Sequence, residues 1–350
     1  MTFDLPVIFA ILMGVAVLLY VVLDGYDLGA GALHLWVARD DRERREVLAA
    51  IGPYWDANEV WLLAAAGALL VAFPRAMSAG LSGFYLGIFL ILWCLIGRGI
   101  SIEVRSHVEQ PLWRTFWDTM FCVSSALLPV FFGVALANLI RGVPLTADGW
   151  FQLTLFTHFG TRPPVGLLDW YTVLAGVFAL LALTAHGATF LAWRTEGAVH
   201  ARSARAARVL YATVVVLWIA LTVATIAVRP GLLAALPERP LAMLAAALAL
   251  AGLVTVFVAT ARGRSLHAFL GSSTFLAGML VATAACLFPA LVPSLEGAGP
   301  PITAYDGGAT DRGLATALGW WVAGFPLILA YFFVTYRLHR GKVKVGAEGY

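Results

Sequence analysis

The chain has 350 residues, of which 61% are hydrophobic and 12% charged, against roughly a quarter charged in soluble domains. So little charge cannot cover a water-soluble globule of this size, which excludes a soluble enzyme or binding module and makes the lipid bilayer the solvent. The formal net charge of +3 gives nucleic-acid binding no support.

Stretches of about 20 apolar residues bounded by charge, Pro or Gly have the length that crosses a bilayer as a helix. Nine follow one another, at residues 7–36, 47–72, 79–103, 116–140, 168–193, 207–228, 240–260, 266–292 and 314–337. The expected fold is therefore all-α: a polytopic transmembrane helix bundle of about nine spans, with residues 1–350 as a single integral membrane domain. The first run is too long for a signal-peptide core and no A-x-A-like site follows it, so it reads as a retained span. The seventh, rich in Ala and Leu, reads as packing. The longest connections, 141–167 and 293–313, are rich in Gly, Pro and aromatic residues and read as ordered surface loops on one side. Cys94, Cys122 and Cys286 fall inside apolar runs without metal or disulfide spacing, as buried, inert thiols do.

Lys and Arg set the orientation, because cytoplasmic loops carry their excess. Loops after odd-numbered spans, with the C-terminal tail, hold Arg39, Arg42, Arg44, Arg45, Arg105, Arg114, Arg194, Arg202, Arg205, Arg208, Arg262, Arg264, Arg337, Arg340, Lys342 and Lys344. Arg98 sits just inside the same end of span three. The other side has only Arg75, Arg141, Arg162, Arg229, Arg239 and Arg312. This alternation predicts the N-terminus outside and the C-terminus in the cytoplasm.

An ionisable residue inside a span is costly and marks a functional hypothesis. Span one carries Asp24 and Asp27, three apart and so on one helical face, with Gly25 and Gly29 beside them as a GxxxG pair that admits a close helix neighbour. Span two carries Asp56 and Glu59, again three apart, with Asn58 between them. With span two entering from the cytoplasm, Asp56 is expected nine residues in, roughly 14 Å at 1.5 Å per residue. Four carboxyls at similar depth near the cytoplasmic side read as a proton-uptake path. The structural reading is a helix-end polar network paired with Arg98 or Asn58. Arg98 is the deepest cation and the best internal partner for these acids. Asn58, Arg98, Glu103 and His186 are the candidates for a supporting polar network, while Arg105, Trp113, Arg114, Trp117 and Asp118 read largely as interfacial anchors.

Histidine could ligate haem in a membrane redox protein, but only His34 and His186 lie in spans, on different helices. For His186 a satisfied polar side chain or a member of a proton relay is the preferred reading. Aromatic residues at span ends are usually anchors, with Trp55 and Trp61 as candidates for lining a quinone or an interface.

The ordered run of motifs resembles subunit II of cytochrome bd-type quinol oxidases, a type shared with the cyanide-insensitive branch. The resemblance rests on Asp24-Gly25-Tyr26-Asp27-Leu28-Gly29, on Gly52-Pro53-Tyr54-Trp55-Asp56-Ala57-Asn58-Glu59-Val60-Trp61-Leu62, and on Phe73-Pro74. Ser82-Gly83-Phe84-Tyr85, Arg98 with Glu103-Val104-Arg105, Trp113-Arg114, Trp117-Asp118 and Gly187-Ala188-Thr189-Phe190-Leu191 continue it. It is strongest over 20–145 and weakest around 229–262. Ala57 departs from the pattern, which has Gly there. The resemblance implies a bacterial cytoplasmic-membrane heterodimer in which a haem-bearing subunit I holds haems b and d and oxidises quinol. This chain would hold no haem. Asp24 or Asp27, and Asp56, would belong to a cytoplasmic proton path for reduction of dioxygen to water. A structurally bound quinone and small single-span subunits occur in some members.

A proton-coupled transporter is the alternative class, since buried carboxylates and glycines also suit broken-helix binding sites; inverted repeats would favour it, and none stands out. A haem-bearing oxidoreductase in its own right would show visible absorbance from this chain alone. A purely structural partner would tolerate loss of Asp56.

Overall fold

In the computed structural model, which describes residues 4–306 and 308–343, nine helices are long and apolar enough to cross a membrane. They correspond one to one with the runs read from the sequence. The helices are α1 (Leu5–Val37), α2 (Asp41–Ile51), α3 (Trp55–Ala72), α4 (Pro74–Gly83), α5 (Tyr85–Val104) and α6 (Pro111–Arg141). After them come α7 (Trp170–Arg194), α8 (Gly197–Val228), α9 (Pro230–Ala234), α10 (Pro240–Ala261), α11 (Ser265–Leu287) and α12 (Asp311–Leu338). Lys344 and Gly307, counted above among the cytoplasmic cations and in the 293–313 loop, lie outside the described residues.

Three boundaries differ from the sequence reading. The expected span 47–72 is two helices, because Gly52-Pro53 interrupts the chain and Pro53 has no N–H to continue the ladder. α2 is a short amphipathic helix capped by Asp40, which accepts from the Glu43 N–H at 2.9 Å, and it buries Val47, Leu48, Ala50 and Ile51. Only α3 crosses, so Asp56 lies in its first turn rather than nine residues deep. α8 starts ten residues before the apolar run, because its first turns carry Arg202 and Arg205. α11 stops at Leu287, and the residues expected to extend it form the strand β1 (Ala290–Val292), paired antiparallel with β2 (Ile302–Thr303).

α1 and α7 form the centre of the bundle, and their meeting is a matter of glycine. A Cβ on Gly29 would overlap the Leu183 carbonyl, and one on Gly187 would overlap the backbone of Gly29 and Ala30. Gly25 faces only the Leu183 side chain, 3.1 Å from where its Cβ would stand. Of the two glycines in the motif, Gly29 therefore sets the approach. On the side read as external the two long loops interlock: Leu295 N–H donates to the Val143 carbonyl at 3.0 Å and Gly299 N–H to Leu145 at 2.6 Å. Asn138, Arg141 and Asp169 tie the loop to the facing ends of α6 and α7, with Asn138 Nδ2 donating to the Leu167 carbonyl at 2.9 Å and Arg141 paired with Asp169. α12 is the least enclosed span: among its described residues only Leu314 and Thr335 are buried.

Candidate functional site

Three of the four predicted carboxyls converge between α1, α3 and α5. Arg98, fully buried one and a half turns before the end of α5, holds Asp24 by two hydrogen bonds, Nη1 to Oδ2 at 2.8 Å and Nη2 to Oδ1 at 2.5 Å. Its Nη1 also lies 3.3 Å from Glu59 Oε1. Asp27, one turn along α1, is equally buried and accepts from Asn58 Nδ2 at 2.7 Å. That amide nitrogen also donates to Tyr26 Oη at 2.9 Å and to the Leu23 carbonyl at 3.3 Å. The predicted partnership of Arg98 with acids of the first two spans is thus present.

The charges do not balance. One guanidinium faces three carboxyls in an apolar interior, and burying unpaired charge is expensive. Asp27 Oδ1, Asn58 Oδ1, Arg98 Nε and, one turn deeper on α1, Tyr20 Oη have no protein partner although buried. A group of carboxyls with spare hydrogen-bonding capacity beside one fixed cation can take up and give back a proton without moving the backbone. Asp24 makes two hydrogen bonds to Arg98, whereas Asp27 and Glu59 each have fewer partners.

Other expectations are corrected. Asp56 is exposed and makes no ion pair or hydrogen bond with the cluster. It shares a helical face with Glu59, whose side chain keeps 26% of its exposure. Glu103 is exposed, one turn past Arg98, and takes no part in the network. His186 is fully buried but apart from the carboxyls: its Nε2 lies 2.9 Å from the Val22 carbonyl and its Nδ1 2.6 Å from Ser272 Oγ, which pairs in turn with Tyr211. A carbonyl only accepts, so Nε2 carries a proton and donates it to Val22. Trp61 is buried against Tyr20, Phe325 and Phe332, and Trp55 packs over Gly99. Neither lines the apolar cavity of about 390 Å³ bounded by Met13, Met77, Phe84, Ile88 and Phe131.

A second buried network was read from the sequence only as anchoring. Asp118, inside α6, receives Arg105 Nε at 2.6 Å, His34 Nε2 at 2.7 Å and Arg44 Nη1 at 3.0 Å. Arg105 continues to Asp41 at 2.8 Å, which also receives Arg114 at 3.1 Å. This ties α1, α2 and α6 to the end of α5. The signal was an aspartate and a histidine within spans, but their partners come from separate elements that no spacing links. Beside it Glu43 binds Arg202 Nη2 at 2.5 Å and accepts from the Arg39 N–H at 2.6 Å.

Comparison with known proteins gives a consistent family. The sequence model described as "Cytochrome bd terminal oxidase subunit II" matches residues 5–339. Cytochrome bd-I ubiquinol oxidase subunit 2 of Escherichia coli (strain K12) is 31% identical over 349 residues, covering 92% of this chain and 90% of that one. Cytochrome bd ubiquinol oxidase subunit 2 of Bacillus subtilis (strain 168) is 34% identical over 206 residues, 59% of this chain and 58% of the relative. The fold is similar to a chain in the structure of bd oxidase from Geobacillus thermodenitrificans, with a TM-score of 0.75 and 17% identity, covering 96% of this chain and 98% of that one.

Proposed function

The chain belongs to the cytochrome bd terminal oxidase subunit II family and is a membrane-embedded subunit of a quinol oxidase, and on that premise we propose that it feeds protons to dioxygen reduction in a haem-bearing partner. The observation that carries this reading is the convergence of Asp24, Asp27 and Glu59 on the single buried cation Arg98. Exposed Asp56 collects protons at the cytoplasmic end of α3 and Glu59 takes them inward on the same helical face. Asp27 is the internal acceptor, while the Asp24–Arg98 pair holds the local field. The cytoplasmic direction follows from the distribution of Arg and Lys.

The subunit also scaffolds subunit I. Large apolar side chains stand exposed on α3, α5 and α12, among them Leu63 (70%), Trp93 (67%) and Leu327 (72%), a surface suited to another membrane helix bundle or to lipid. Haems b and d reside in the partner, small single-span subunits join the complex in some members, and the setting is a bacterial cytoplasmic membrane. A structurally held quinone would find room for its isoprenoid tail in the 390 Å³ cavity, whose lining is wholly apolar. That lining offers the quinone head no hydrogen bond.

The test is quinol oxidase turnover in purified, fully haem-loaded complex. Asp27→Asn and Glu59→Gln are expected to slow turnover about tenfold or more, within the 10²–10⁴-fold that positioned proton transfer contributes, and Asp56→Asn to slow it less. Unchanged turnover in Asp27→Asn and Glu59→Gln complexes of normal haem content would refute the path.

A further inference from the structure

The proton reading leaves a group of side chains on the cytoplasmic end of the bundle unused. After α12 the chain turns back over the end of α7. Arg194 Nη2 donates to the His339 carbonyl at 2.7 Å, Val343 N–H to the Arg194 carbonyl at 2.8 Å, and Lys342 Nζ to the carbonyls of Thr195 at 2.8 Å and Ala192 at 3.3 Å. These carbonyls at the end of α7 have no intrahelical donor, and a lysine there also meets the negative end of the helix dipole. Tyr54 Oη donates to the same His339 carbonyl at 3.0 Å, with the Arg194 guanidinium 5.6 Å over its ring. Residues 339–343 are a strap tied at five points.

Beneath the strap, Tyr336 stacks on Tyr54 with ring centroids 4.6 Å apart, and its hydroxyl lies 2.7 Å from that of Tyr26. Tyr26 is fully buried, stacked on Phe190 at 3.9 Å, and adjacent in sequence to Asp27. The hydrogen-bond directions decide what this pair does. Asn58 donates to the Tyr26 oxygen, whose hydroxyl is also hydrogen-bonded to that of Tyr336. Between the phenols and the Asp27 carboxyl stands an amide that donates to both sides. An N–H donor of that kind passes no proton onward, so the tyrosines close the approach to Asp27 without conducting through it.

We propose that the C-terminal strap, residues 339–343 with Tyr336, is a seal over Asp27 that forces protons to enter by Glu59. The seal is removable by construction. α12 buries only Leu314 and Thr335 among its described residues, and beside its packing on Trp61 a space of about 240 Å³ lies between it and α3, lined by Ala57, Val60, Leu327, Ile328, Tyr331 and Phe332. At its cytoplasmic end α12 is held by the strap and the tyrosine pair, and further along by Phe325 and Phe332 against Trp61.

The inference rests on the proton-path reading, and the test keeps the two apart. In the intact complex, the rate at which a water-soluble carbodiimide with glycine ethyl ester modifies Asp27 is followed by peptide mass spectrometry. Turnover is measured on the same samples. Tyr336→Phe keeps the ring stack and removes one hydroxyl; Lys342→Gln weakens the strap's bonds to the carbonyls that end α7. Each is expected to raise modification of Asp27 about two- to tenfold, the range in which one lost hydrogen bond shifts an opening equilibrium. Each should also recover part of the turnover lost in Glu59→Gln. Modification of Asp27 that stays at the parent rate in both variants, or falls, overturns the seal. Faster modification alongside a Glu59→Gln complex of full activity keeps the seal and overturns the path.

Discussion

Asp24 and Arg98 show how closely one side chain's state depends on its neighbour here. Both are completely buried and joined by two hydrogen bonds, so removing Arg98 leaves Asp24 a buried acid without its cation, at a cost of about 3–5 kcal/mol. Arg98→Met alone is expected to destabilise the complex by that order, while Asp24→Asn added to it returns a substantial part. A double-mutant cycle on thermal unfolding measures the coupling. At the surface the residue scale is set by pH. Burial pushes the Glu43 carboxyl up, but the hydrogen bonds from Arg202 and the Arg39 N–H outweigh it, and the group sits below its ordinary value of 4.5. A carboxyl depressed by folding contributes stability that is complete above its unfolded value and disappears as pH falls through the folded one. Glu43→Gln should therefore cost about 0.2–1 kcal/mol at pH 7, and the gap to the parent should close in melts taken below about pH 4. Asp24, Asp27 and Arg98 were legible as a set because charge inside an apolar run is conspicuous. Asp118 and His34 were equally conspicuous, but their partners lie on α2 and just beyond α5, and adjacency between distant segments leaves no mark in spacing.

Among the elements, α1 and α7 depend on two glycines differently. Gly29 faces backbone, which cannot yield, whereas Gly25 faces the tip of Leu183, which can rotate. Gly29→Ala is expected to cost at least the 1–3 kcal/mol of an overpacked core and to lower recovery of assembled complex, while Gly25→Ala should stay close to the parent. Thermal melts and the yield of the co-purified complex read both. The GxxxG pair was readable in sequence, but which glycine carries the contact depends on the register of α7. The break at Gly52-Pro53 was printed in the sequence too. It is masked by the apolar residues on one face of α2, Val47, Leu48 and Ile51, which extend the run of α3 backwards. A continuous span would place Asp56 about two helical turns further in, whereas in the structure it is the exposed member of the set.

At the scale of the whole molecule, the nine spans were the most legible feature, because a bilayer requires each crossing to satisfy its own backbone and present apolar side chains. The arrangement places Asp24, Asp27 and Glu59 around Arg98 inside the bundle, puts Asp56 at its edge, and leaves broad apolar faces for a partner. On the proposed function, haem chemistry in the partner consumes protons that must cross part of the membrane, and these buried groups would hold them. The most direct measurement is proton uptake itself. Reduced complex is mixed rapidly with dioxygen in lightly buffered solution, with a pH dye and the haem absorbance followed together. In the parent complex, uptake should keep pace with oxidation of the haems. In an Asp27→Asn complex of full haem content, the account predicts that the first electron transfers keep their rate while proton uptake lags about tenfold or more. Proton uptake at the parent rate in that complex would contradict it.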